Sequence, residues 1–179
     1  PEPKTVLVMY NQVERDIYED LRSIDPATLN FTPNYSIHVA TVQEEYDAIV
    51  EALRKENFNA RGVNLRDDLS MLLKLITEDP PDVVFNLVEF FSNDAAHESS
   101  VAGLFDLFRI RYTGAPPFCL SLCRHKGLTK QILLQNGLAT PSFRILQQPV
   151  IERRHGLRYP LIVKPSRQDG SAGVEAASV

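Results

Sequence analysis

The segment Lys4-Thr-Val-Leu-Val-Met-Tyr10 is apolar at consecutive rather than alternate positions. A strand with one wet face alternates. A strand that is apolar throughout needs cover on both faces, as inside a parallel sheet flanked by crossover helices. The chain downstream supplies candidates for that cover. Tyr46, Ile49, Val50 and Leu53 fall at i, i+3, i+4 and i+7, which predicts a helix over Gln43 to Glu56. A weaker strand follows at Phe58 to Val63. Leu69, Leu72, Leu73 and Ile76 predict a second helix, closed by Pro80-Pro81. Asp82 to Val88 reads as another buried strand. Val101, Leu104, Phe105 and Phe108 give a third helical stripe, and Ile110 to Thr113 a short extended piece. Strand and helix in alternation predict an α/β, Rossmann-like parallel sheet over residues 4–115. Asn11 to Val42 breaks the pattern and reads as a long loop with a short helix near Ile17 to Leu21. Connections of that length are usually functional or mobile.

Past Gly114-Ala-Pro-Pro117 the texture changes. Leu128, Ile132 and Leu133 predict a helix with Gly137 at its end. Thr140-Pro141 imposes an extended entry into Ser142 to Leu146. Pro149 to Tyr159 is a polar, basic loop. Leu161 to Lys164 reads as a strand stopped by Pro165, and Ser166 to Gly173 as a polar turn before Val174. Two units are therefore expected, 1–115 and 116–179, the second only begun. On that reading the chain is a fragment of a protein roughly twice its length, on a prior of ~100–200 residues per domain.

Composition narrows the function classes. Of 179 residues, 44% are hydrophobic and 23% charged, which argues against disorder. Nineteen Lys and Arg against 23 Asp and Glu give a net charge of −4, so bulk electrostatic binding to nucleic acid is not expected. The apolar runs are far below the ~20 residues that cross a bilayer, and Pro-Glu-Pro-Lys opens no secretory signal. Cys119 and Cys123, two thiols without a set of ligating histidines, make a poor metal site and read as helix-packing residues. His38, His97, His125 and His155 show no ligand spacing. Phe90, Phe105 and Phe108 read as core. A reduced, soluble, cytoplasmic protein without a membrane or nucleic-acid partner is the expectation.

The first strand is followed by Asn11-Gln-Val-Glu-Arg, with no glycine, so a dinucleotide fingerprint is absent there. No Gly-x-x-x-x-Gly-Lys-Ser/Thr occurs. The most informative segment is Leu161-Ile-Val-Lys-Pro-Ser-Arg-Gln-Asp-Gly-Ser-Ala-Gly-Val174. A lysine leaving an apolar strand, with glycines and hydroxyls just beyond it, suits a polyphosphate. A hairpin turn with an exposed lysine is the plainer alternative. Cys123-Arg-His-Lys126-Gly-Leu-Thr-Lys130 places further cations at the entry to a helix, where amides favour anions. Alone it reads as a solvated basic face. The two clusters gain weight together, because each flanks the start of the second unit, about 40 residues apart.

Asp82-Val-Val-Phe-Asn-Leu-Val-Glu89, Tyr112-Thr-Gly114, Lys126 to Gly137 with Thr140-Pro141, and Leu161 to Val174 come in the order found in D-alanine–D-alanine ligases. The chain resembles that family of the ATP-grasp superfamily along most of its length. The resemblance implies a Rossmann-like domain followed by the first α+β part of an ATP-grasp unit. It implies ATP and Mg²⁺, a small amino-acid substrate such as D-alanine, an acylphosphate intermediate, a role in cell-wall precursor synthesis, and a homodimer as the assembly to look for. Lys126 and Lys164 match the family's nucleotide lysines. Gly170 and Ser171 match the glycine and first serine of its phosphate-covering loop, with Ser171 as the catalytic candidate. Glu14, in Glu14-Arg-Asp-Ile-Tyr18, matches the first-substrate glutamate. No metal ligand is assigned within the chain; the Mg²⁺ carboxylates are expected beyond Val179, so these residues alone should not ligate. Asp169 stands in place of the usual glutamate, Ala172 at the second serine, Gly173-Val174 in reversed order, and His97-Glu98 for an acidic pair. These departures imply a substrate other than, or broader than, D-alanine. The alternatives are a ligase for another amino acid or peptide, and a nucleotide-binding or interaction module without turnover.

Overall fold

A computed structural model describes residues 2–13, 41–147, 155–168 and 173–178. β1 (Thr5–Tyr10) leads to α1 (Val42–Lys55), β2 (Asn59–Asn64), α2 (Leu69–Thr77), β3 (Val83–Leu87) and α3 (His97–Leu107). The chain then enters α4 (Pro117–Arg124) and α5 (Lys126–Gln135), and a single 3-10 turn spans Ala176–Ser178. The expected helix at Ile17 to Leu21 lies outside the described residues.

The sheet is parallel, in the order β2-β1-β3. Val84 also bridges Tyr112 in parallel, so 111–113 continues the sheet beyond β3. β1 therefore has a neighbour on each side and helices on each face, which accounts for its unbroken apolar run. Val6 and Val8 pack with Ala60 and Val50 of α1, while Leu7 and Met9 pack with Val84, Leu72, Ile76, Val101 and Phe105. Right-handed crossovers produce this division. The chain leaves β1 in one direction to make β2, then crosses back to make β3, so α1 and α2 fall on opposite faces. β2, at the edge, buries only Ala60 and has the weaker sequence pattern.

The helix ends follow from local chemistry. Thr41 caps α1 by accepting from the Glu44 amide at 3.2 Å, and Glu44 accepts from the Thr41 amide at 3.1 Å. This reciprocal pair satisfies two amides that the first turn would otherwise leave open. Asp68 caps α2 by accepting from the Met71 amide at 2.9 Å. Pro117 opens α4, where its missing N–H costs nothing. Gly137 follows α5 with φ +72°, the left-handed backbone that ends helices readily at glycine.

Three expectations need correction. Leu161 to Lys164 is not a strand: 161–165 has no regular secondary structure, and Val163 N–H donates instead to the Ser178 carbonyl at 2.7 Å. Phe108 is 40% exposed, because it is the C-cap of α3 and its backbone has left the helix that would aim it at the core. Phe90 is half-buried; of the three phenylalanines only Phe105 is fully buried.

Asp82 ties the start of β3 to the start of β1. Its carboxylate accepts from the Thr5 amide at 2.8 Å, the Lys4 ammonium at 2.9 Å and the Thr5 hydroxyl at 3.1 Å. The Thr5 amide foremost, then Lys4 and the Thr5 hydroxyl, lower its pKa from 3.8 to about 2. A carboxyl held below its unfolded value stabilises the fold above about pH 4 and loses that contribution as pH falls through about 2. Asp82→Asn should therefore lower the urea midpoint at pH 7, and the gap from wild type should close progressively between about pH 4 and pH 2. A gap that stays constant over that range would count against the assignment.

Candidate functional site

Two places gather polar groups. The first is the carboxyl edge of the sheet, where the crossovers diverge on either side of β1. In open parallel sheets that divergence leaves a crevice suited to ligands. Asn11 sits there, only 5% exposed. Its amide nitrogen donates to Asp67 Oδ1 at 2.7 Å and to the Phe90 carbonyl at 3.0 Å, and its Oδ1 accepts from the Asp67 amide at 2.8 Å. Asp67 Oδ1 also accepts from the Ser92 amide at 2.7 Å. Arg66, Asp67, Ser92 and Asn93 all have φ between +50° and +58°, backbone that most side chains avoid. The staple thus holds two strained loops, after β2 and after β3, against the end of β1. Sequence reasoning missed it. Its signal was the Asn64-Leu-Arg-Asp67 and Ser92-Asn-Asp94 punctuation after each apolar run. Glu14, the candidate ligand of this edge, lies outside the described residues.

The second place is the junction of α4 and α5. Lys126 is the first residue of α5; its backbone N–H donates to the Ser166 carbonyl at 3.1 Å and its ammonium to the Gln168 carbonyl. Arg124, the last residue of α4, donates from its guanidinium to the Arg167 carbonyl at 3.3 Å. The two basic clusters read separately in the sequence therefore meet in space. The Lys126 amide at the helix entry is occupied by the chain itself, so the donors left for a ligand are side chains. The Arg124 Nε–H is the notable one: it is buried and, among the described residues, has no hydrogen-bond partner. A buried guanidinium donor without an acceptor is costly, and an anion would satisfy it. Lys164 is exposed at the far end of the same connection. Gly170 and Ser171 lie outside the described residues, as do Asp169 and Ala172.

Local structure fixes this junction. The Thr129 hydroxyl donates to the Leu122 carbonyl at 2.7 Å and lies 3.1 Å from the His125 carbonyl, tying α5 back onto the end of α4. Lys130 is committed elsewhere: its ammonium donates to Thr140 Oγ1 at 2.9 Å and lies 5.1 Å from the centre of the Phe143 ring. Gly127 is buried because Ile145 packs against it; an added Cβ would lie 2.3 Å from Ile145 Cδ1 and 2.8 Å from Cγ1. Gly127→Ala should cost about 1 kcal/mol net, less than the ~1–3 kcal/mol of a rigid overpacked core because half-exposed Ile145 can rotate away. The sharper expectation is coupling. In urea denaturation the Gly127→Ala/Ile145→Ala pair should be less destabilised than the sum of the single variants. Strict additivity would show that the contact is not felt.

The remaining candidates sort simply. His97 Nδ1 lies 2.7 Å from the Phe91 carbonyl, and His155 Nε2 lies 3.4 Å from the Tyr159 hydroxyl. His38 lies outside the described residues. Among the described residues no group of three or more His, Cys, Asp or Glu could hold a metal ion, so they do not fit Mg²⁺. The basic junction does fit the phosphates of a nucleotide.

No family profile matches the chain. It is similar to curated D-alanine–D-alanine ligases. The protein from Xylella fastidiosa (strain Temecula1) is 31% identical over 131 residues, 70% of this chain and 42% of the relative. That from Methylorubrum extorquens (strain PA1) is 28% identical over 128 residues, 72% of this chain and 40% of the relative. The chain thus spans about two-fifths of the length of the curated relatives it matches. The fold is similar to that of D-alanine–D-alanine ligase from Bacillus anthracis, solved in complex with ATP. That match has a TM-score of 0.57 at 16% identity and covers 92% of this chain and 48% of the other.

Proposed function

Because this chain belongs to the D-alanine–D-alanine ligase-like family of the ATP-grasp superfamily, we propose that it serves an ATP-dependent ligase that joins a carboxylate to an amine. Residues 1–115 form its sheet domain and 116–179 the first part of its nucleotide clamp. The observation that carries the reading is the convergence of Arg124 and Lys126 on the carbonyls of 166–168, with the Arg124 Nε–H left without an acceptor. ATP supplies the phosphoryl group that activates the carboxylate as an acylphosphate. Lys126, Lys164 and Arg124 offset phosphate charge, which is where proteins contribute most to phosphoryl transfer. The loop bearing Gly170 and Ser171 closes over the activated carboxylate and keeps water from it. Glu14 holds the ammonium group of the first amino acid. With D-alanine on both sides the product is a cell-wall precursor dipeptide, made in the cytoplasm where ATP is available.

A second reading, a ligase for another amino acid or peptide, rests on Asp169, Ala172 and the Gly173-Val174 order in the covering loop. Phosphate release scored over a panel of D- and L-amino acids, using the protein that carries this chain together with its Mg²⁺ carboxylates, separates the two. An exclusive D-alanine response favours the first, and a response to another amino acid the second. No release with any of them, alongside retained ATP binding, would leave a nucleotide-binding module. The 179-residue polypeptide alone is expected to bind ATP without turnover, since the described residues offer no metal site. Hydrogen exchange with and without ATP should show new protection across 166–173. Unchanged exchange there would remove the nucleotide assignment.

A further inference from the structure

Two turns meet at the amino edge of the sheet, at the opposite end of the strands from the Asn11 crevice. Pro80 and Pro81 lead from α2 into β3, and Phe108 to Arg111 lead from α3 into the last sheet position. Between them lies an open cleft of about 440 Å³, lined by Pro80, Phe108, Arg109 and Arg111 among others. The fold leaves three features there unexplained. Phe108 keeps 40% of its surface in water. Arg109 and Arg111 are both exposed, and among the described residues neither side chain has a hydrogen bond or an ion pair. The aspartates that border the same turns bond elsewhere: Asp82 to Lys4 and Thr5, Asp79 to Arg61 at 3.5 Å, and Asp106 to the Tyr112 hydroxyl at 3.0 Å. Arg109 also takes φ +57° directly after the C-cap of α3, where the Ile110 N–H returns to the Phe105 carbonyl at 2.8 Å. That left-handed position is one that glycine fills without strain. An arginine there costs the fold stability, and no contact of its side chain within the described residues offsets the cost.

We propose that this cleft docks an acidic peptide segment of a partner protein, with Arg109 and Arg111 holding its carboxylates and Phe108 and Pro80 covering an apolar side chain. A guanidinium fork matches a carboxylate bidentately, and arginine beside an aromatic ring is the composition of interface anchors. Lys4 and Arg61 are neutralised at this edge, so the two arginines carry its unpaired positive charge on a chain of net charge −4. That local contrast selects an acidic partner. The open shape suits an extended segment better than a small molecule, which needs enclosure over most of its surface. The prolines and the helix end are already fixed, so little has to be ordered on binding. The cleft shares no residue with the nucleotide junction at Arg124 and Lys126, and the proposal stands apart from the ligase reading.

Fluorescence anisotropy of a fluorescein-labelled Asp-Glu-Leu-Glu-Asp peptide, titrated with the folded 179-residue polypeptide, tests this. Saturable binding of one peptide per chain is expected, unchanged by ATP and about 10-fold or more tighter than that of the neutral Asn-Gln-Leu-Gln-Asn peptide. Arg111→Gln and Arg109→Gly should each weaken binding about 10-fold, the loss of one charge-assisted pair. Arg109→Gly should at the same time raise the urea midpoint, because glycine relieves the left-handed backbone. Weaker binding by a more stable variant separates the docking role from a folding defect. No saturable binding, competition by ATP, equal affinity for a short single-stranded DNA of the same charge, or arginine variants that bind like wild type would each overturn the proposal.

Discussion

Phe105→Ala is expected to destabilise the sheet domain by about 3–5 kcal/mol, the range for deleting a fully buried aromatic side chain. Phe105 is wholly inaccessible, in the cluster built by Leu7, Met9, Val84, Leu72 and Val101. Its ring centre lies 5.4 Å from that of Tyr112, whose chain segment extends the sheet beyond β3. The residue thus joins α3, the central strand and the last sheet position. Its removal would leave a cavity that three elements would have to shift together to fill. A loss of that size is a large share of the ~5–15 kcal/mol by which domains are stable. Phe108→Ala, three residues on, should cost well under half as much, since that ring is already partly in water. Urea denaturation followed by circular dichroism compares the two. Equal costs would mean that α3 presents a different face to the sheet.

That contrast shows how far the sequence could be read. Periodicity correctly placed Val101, Leu104 and Phe105 on one helix face, because burial imposes a repeat of 3.6 residues for as long as the helix lasts. It could not show that the helix stops at Leu107, so Phe108 was counted in the core. β1 was legible for the opposite reason: cover on both faces removes the need for alternation. Leu161 to Lys164 looked the same, an apolar run ended by proline, yet the described residues provide it no strand partner. Its only described backbone tie is to Ser178. A short apolar run specifies a wish for cover, and pairing depends on residues far away in the chain. The site follows the same logic. Lys126 and Lys164 stood out as cations beside apolar segments. The Arg124 donor did not, because an unpartnered Nε–H exists only once 166–168 has folded back on the helix entry. The Asn11–Asp67 staple was equally invisible, being a contact between loops 56 residues apart.

Lys164→Ala should weaken ATP binding more than Lys126→Ala, and Lys130→Ala should weaken it least. A charge-assisted hydrogen bond to phosphate contributes roughly 1.5–3 kcal/mol, or about 10–150-fold in Kd. How much of that is lost depends on what each ammonium does without the nucleotide. Lys164 is exposed, and binding phosphate would cost it only water. Lys126 is bonded to the Gln168 carbonyl, so it must exchange one partner for another and its net contribution falls. Lys130 is held by Thr140 and faces the Phe143 ring; its loss should appear in stability, by about 1 kcal/mol, rather than in affinity. The strand that seemed to aim Lys164 is absent, which makes the experiment more demanding: the lysine must be positioned by Pro165 and the turn after it when the nucleotide arrives. Calorimetric titration of ATP into wild type and the three variants, at low salt and again at 0.5 M, decides the order. Screening should flatten the Lys164 effect most, because an exposed charge is screened more than a partly buried one. Equal losses for Lys164 and Lys130 would remove Lys164 from the nucleotide site and leave Arg124 and Lys126 as its only described cations.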